Sequence, residues 1–107
     1  MIFAWTPELI DGALGTLTDQ QRAALDCLQS LSKNQEKPGP TRLKKYGFKD
    51  LDDYERNLAA ARETAKAHFA ELGIRRMDDL SFTEPNHSTE GRIQKAMRKA
   101  VCAVAAA

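Results

Sequence analysis

Apolar residues recur three and four positions apart along most of this chain and seldom alternate, which predicts helices rather than strands. After the apolar cluster Met1–Trp5, the run Thr6-Pro7-Glu8 predicts a helix start. A threonine there can cap, a proline suits the first turn, and an acid favours the positive end of the helix dipole. Leu9, Ile10 and Leu14 ride on that helix, and Gly15 is the expected stop. Thr18 and Gln21 have capping-box spacing. They open a second helix, carrying Ala24, Leu25, Leu28 and Leu31, that is expected to run to about Lys33.

The stretch from Asn34 to Pro40 breaks the pattern, because Pro38-Gly39-Pro40 cannot continue a helix and stiffens the chain. A short helix from Thr41 to Tyr46 is expected next, ended by Gly47. Asp50 then caps the longest predicted helix, Leu51 to Leu72. Its apolar positions, Leu51, Tyr54, Leu58, Ala61, Ala65, His68/Phe69 and Leu72, form a heptad-like seam. Three consecutive small residues, Ala59-Ala60-Ala61, mark where another helix can come close, so a homodimer through 51–72 is one expectation. Gly73 ends the helix, and Ile74, Met77 and Leu80 suit a short helical turn. A polar loop, Ser81–Thr89, leads to a last helix, Glu90 to about Ala106, capped by Ser88 or Thr89.

The predicted fold is all-α: a small bundle of about four principal helices plus one or two short ones. It forms one compact domain over 1–107 with a Pro-Gly-Pro bend at 38–40. The predicted core is Trp5, Leu9, Leu14, Leu25, Leu28, Leu31, Leu43, Leu51, Leu58, Phe69, Leu72, Ile74, Leu80, Ile93, Met97 and Val101. Composition supports helix: there are sixteen alanines but only six valines and isoleucines together. The N-terminal sequence lacks the basic segment and long apolar run of a secretion signal, which predicts a cytoplasmic chain with reduced thiols. The longest apolar run, Ala100 to Ala107, is too short to span a bilayer, so no membrane partner is expected.

Sixteen basic residues against fifteen acidic ones give a formal net charge of +1, which excludes a uniformly basic nucleic-acid coat. The basic residues are nonetheless clustered. Lys33, Lys37, Arg42, Lys44, Lys45 and Lys49 face one acid, Glu36, and Arg92, Lys95, Arg98 and Lys99 occur with no acid among them. Arg92, Lys95 and Lys99 share one face of the last helix, an arrangement that can contact phosphates. Tyr46 and Tyr54 lie beside the first cluster and can stack on bases or anchor a protein interface. A helix-turn-helix reading of 41–61 fails on charge, because its recognition helix would open with Asp50, Asp52, Asp53 and Glu55. Those acids are better explained by capping and the helix dipole.

No paired catalytic carboxylates, nucleophile–base order or nucleotide fingerprint occurs, so a non-enzyme without cofactors is expected. Cys27, His68, His87 and Cys102 lack the short spacing of zinc ligands, so no metal site is expected. The sequence therefore predicts a small regulator, adaptor or inhibitor that binds another protein. The alternative is a nucleic-acid-binding transcriptional regulator using the basic C-terminal helix. The candidate contact residues are Lys44, Lys45, Lys49, Arg92, Lys95, Arg98, Lys99, Tyr46 and Tyr54.

Overall fold

The computed structural model describes residues 2–32, 34–81 and 91–105, with side chains described up to Val101. The chain runs β1 (Phe3–Ala4), α1 (Pro7–Leu14), α2 (Asp19–Ser30), α3 (Pro40–Lys45), α4 (Leu51–Leu72), a 3-10 turn (Met77–Asp79), β2 (Leu80–Ser81) and α5 (Arg92–Ala105). Among the described residues the fold is all-α apart from a two-residue parallel pairing of Phe3 with Leu80 and Ala4 with Ser81. The amide of Trp5 extends that pairing to the Ser81 carbonyl at 3.0 Å. Two residues are too few to leave an alternating signature, so the pairing was invisible in the hydrophobic pattern.

The helix starts follow the sequence. Thr6 accepts from the Leu9 amide at 3.2 Å. Thr18 and Gln21 satisfy each other's amides, both at 3.2 Å, completing the capping box. Asp50 accepts from the Asp53 amide at 2.8 Å, and Asp53 in turn accepts from the Lys49 amide at 3.0 Å. The acids that open α4 thus serve as caps. Two helix ends share one design. The amide of Phe48 reaches the Leu43 carbonyl at 2.8 Å, and that of Ile74 reaches the Phe69 carbonyl at 2.9 Å. Each closure passes through a glycine in the left-handed region, Gly47 at φ 86° and Gly73 at φ 98°. Leu43, Phe48, Phe69 and Ile74 are all buried, so each turn also locks an apolar pair at the helix end.

Tyr54, Leu58, Ala61, Ala65 and Phe69 form the buried stripe of α4. At 1.5 Å per residue α4 is roughly 33 Å long, more than the two shorter extents of the molecule, 27 and 25 Å, so it follows the 44 Å axis. Helices α1, α2, α3 and α5 all pack on it. Ala24, Leu25 and Cys27 from α2, and Ala96, Met97 and Val101 from α5, join its stripe in one cluster. Trp5 lies against Phe69 with ring centres 5.9 Å apart. Beyond α4, the exposed carboxylate of Asp79 accepts from the amides of Arg75 (2.9 Å) and Arg76 (3.1 Å). These two amides, Arg75's first, hold its pKa below the ordinary carboxylate value.

Two expectations need correction, the burial of Leu72 and the end of α2. The seam of α4 is covered within the chain by α1, α2 and α5. Outward, α4 offers Asp52, Glu55, Arg56, Ala59 and Glu63. Leu72 was placed in the core but is 43% exposed. In the last turn of α4 Phe69 faces the core and Leu72 faces outward, while Ile74, beyond the Gly73 reversal, is buried. Helix α2 stops at Ser30 rather than near Lys33, because Leu31 turns to extended backbone while its side chain stays buried. Helix α5 is described from Arg92, and the predicted caps Ser88 and Thr89 lie outside the described residues.

Two glycines give opposite tests of this geometry. At Gly73 an added Cβ meets only ordinary contact, with Phe3 at 3.9 Å, so backbone strain alone acts. Gly73→Ala is expected to cost about 1–2 kcal/mol. Gly12 lies inside α1 with no positive φ, and its added Cβ would sit 3.6 Å from His68 Nε2. Gly12→Ala is expected to gain roughly 0.5–1 kcal/mol. Urea unfolding of both variants checks the pair of signs.

Candidate functional site

The Pro-Gly-Pro bend and the two turns that follow it build a groove. Pro38 is buried, and Pro40 opens α3 at a position where its missing amide costs no helical bond. Seven residues later the Gly47 turn reverses the chain, and Asp50 caps the start of α4. The outcome is a surface groove of about 380 Å³ lined by Pro38, Pro40, Leu43, Lys44, Lys49, Asp50 and Leu51. The prolines and leucines give it an apolar lining, while Lys44 and Lys49 are exposed and take part in no ion pair among the described residues. Asp50, the one acid in the lining, already accepts from the Asp53 amide at the start of α4. A second, shallower depression continues along α4 past Lys49 and Asp50 to Asp52, Glu55, Arg56 and Ala59.

Two arginines of the basic clusters meet on the segment after α2. Arg42 donates to the Ser30 carbonyl at 3.3 Å and to Gln35 Oε1 at 2.8 Å. Arg92 donates to the Ser32 carbonyl at 2.7 Å and the Gln35 carbonyl at 3.0 Å. Beside them Gln29 Oε1 accepts from the Ile93 amide at 3.1 Å and so caps α5 from another helix. A Cβ on Gly91 would stand only 3.1 Å from that same oxygen. The clamp ties α2, α3 and the start of α5 together. Nothing local in the sequence signals it, because Gln29 and Ile93 are 64 positions apart.

The predicted contact residues therefore separate. Lys44 and Lys49 share the groove, and Lys45 is exposed with its ammonium 5.9 Å from the centre of the half-buried Tyr46 ring. Lys95 and Lys99 are exposed on α5, whereas Arg98 is half-buried and engaged. Arg92 is held by backbone carbonyls, so its guanidinium is already hydrogen-bonded within the chain. Tyr54 is corrected outright: at 3% exposure it is a core residue, packed edge-on against Phe48 with ring centres 5.6 Å apart, and cannot reach a partner.

Burial pushes the Tyr54 phenol from 10.0 up to about 12, with nearby Cys27 and Glu55 raising it and Arg62 and Arg92 pulling the other way. Burial likewise raises the Cys27 thiol, partly offset by Arg42, and Cys27 is packed in the core. His68 is half-buried with its ring edge-on to Phe69, and among the described residues no group of His, Cys, Asp and Glu is placed to hold a metal ion. His87 and the Cys102 side chain lie outside the described residues. Among the described residues no helix is long and apolar enough to cross a membrane. No protein-family model matches the chain, and no curated protein or solved structure is similar enough to give it a relative.

The Tyr54 shift has a sign that can be checked. Between pH 10 and about 12 the unfolded chain gives up this proton and the folded one keeps it, so stability falls as pH rises through that window. In a Tyr46→Phe background, tyrosinate absorbance is expected to appear near pH 12, and in urea near pH 10. A native midpoint near 10 would place the phenol in water.

Proposed function

We propose that this protein is a small non-enzymatic regulator or adaptor that works by binding another protein. The observation that carries this reading is the groove at the Pro-Gly-Pro bend. Its apolar lining and polar rim match the anatomy of small recognition sites, in which apolar surface supplies contact energy and a few charges fix orientation. Its walls are set by two prolines, a glycine-mediated turn and a capped helix start, so little ordering cost remains to be met on binding. Self-association would be a special case of the reading, using the outer face of α4.

The test is differential capture. Immobilised wild-type protein and a Lys44→Glu/Lys49→Glu variant are exposed to the same lysate of the source cells, with circular dichroism confirming that both are folded. The expected result is a defined set of proteins retained by the wild type and lost from the variant. Identical retained sets would reject the groove as the working surface.

One observation favours the second reading, a nucleic-acid-binding regulator. Arg42 and Arg92 both bond to Gln35, which brings the two basic clusters together at one place. Lys45 on α3 and Lys95 and Lys99 on α5 are exposed. Under this reading labelled duplex DNA binds with an affinity that falls steeply with salt, and Lys95→Ala/Lys99→Ala reduces the slope by about two. Absence of binding at low salt would remove it.

A further inference from the structure

We infer that the groove takes a peptide segment in which one acidic residue stands beside a large aliphatic or aromatic side chain. The inference rests on the protein-binding reading and adds the chemistry of the occupant. The apolar lining of Pro38, Pro40, Leu43 and Leu51 receives the apolar side chain. Among these, Leu51 is partly exposed and Pro40 is exposed, so apolar surface there still faces water and can be covered by a partner.

Charge then selects what accompanies that anchor. Lys44 and Lys49 stand at the groove with no carboxylate in an ion pair with either, whereas Lys37 nearby is paired with Glu55 at 3.6 Å. Asp50 offsets one of the two charges, so the lining keeps a net charge of about +1 for a partner's acid to meet. A carboxylate beside the apolar anchor would complete the pairing, and close opposite charges at an interface give specificity as well as affinity.

The adjoining depression limits the occupant further. Past Lys49 the wall is Asp52 and Glu55, with Arg56 as the one cation. Arg56 lies 3.8 Å from Asp53, so its charge is partly matched already. A continuous acidic tract running along α4 would therefore meet like charge, which costs affinity. The groove suits a single acid next to an apolar residue and disfavours a polyacidic strand, including a nucleic-acid backbone.

The experiment is selection of a random 12-residue peptide display library on the folded full-length protein, followed by fluorescence anisotropy of the enriched peptides. Expected are sequences carrying one Asp or Glu within two positions of a Leu, Ile, Phe or Trp. Their affinity should fall by at least about tenfold in Lys44→Glu/Lys49→Glu and stay unchanged in Lys95→Glu/Lys99→Glu. A polyglutamate peptide of equal length should bind more weakly than the enriched sequences. Enriched peptides that lack an acid, or that ignore the reversal of Lys44 and Lys49, would overturn the inference and leave the adaptor reading standing. Failure to enrich any peptide would also overturn it. Should lysate capture fail as well, the adaptor reading would fall with it.

Discussion

Everything in this fold depends on one stripe of α4. Ala61 and Ala65, both fully buried, lie between the larger Tyr54, Leu58 and Phe69, and among the described residues every other α-helix packs on this helix. Alanine in the middle of a stripe lets neighbouring backbones come close, while the larger side chains on either side supply most of the buried apolar surface. The constraint also explains why the helix is long. It must reach from the α3 turn at Phe48 and Tyr54 to the Trp5–Phe69 contact at the other end. A chain of 107 residues has few apolar side chains to spare, so spending them along one shared axis is an efficient way to bury them.

Where apolar burial thins out, hydrogen bonds to backbone take over. The segment after α2 has neither helical nor strand pairing, yet the carbonyls of Ser30, at the end of α2, and of Ser32 and Gln35 beyond it all accept from arginines of other elements. Charge-assisted bonds of this kind are stronger than neutral ones and fix direction as well as distance. They hold the bend that leads into Pro38, and so hold one wall of the groove. The basic character of this region is therefore divided between two jobs: Arg42 and Arg92 hold the frame, and Lys44 and Lys49 face solvent at the groove.

Most of the helical architecture was legible in the sequence because its signals are local. Thr6-Pro7, Thr18 with Gln21, and Asp50 each cap a helix within three residues of themselves. Gly47 and Gly73 end helices through amide bonds reaching back five residues or fewer. The α4 seam was legible as apolar from its periodicity, and α1, α2 and α5 cover it within the chain. Tyr54 carried two readings, a seam residue by its spacing and a contact residue by its lysine neighbours, and its burial supports the first. A tyrosine beside lysines looks like a recognition residue until Phe48 and the core are seen to enclose it. The cap from Gln29 and the Arg42–Gln35–Arg92 clamp could not be read at all, because they join residues that only the tertiary fold brings together. The groove stands between these cases. Lys44 and Lys49 were marked by their charge, but their convergence depends on the angle of the turn between them.

The central claim is that this groove recognises an apolar group carrying a negative charge. The most direct measurement is a two-dimensional amide NMR titration of the intact protein with sodium hexanoate, with hexylammonium chloride and sodium chloride as controls. The account predicts saturable shifts at Leu43, Lys44 and Lys49 to Leu51 with hexanoate alone, and none at Lys95 to Lys99. Equal shifts with hexylammonium, or hexanoate shifts centred on α5, would contradict it.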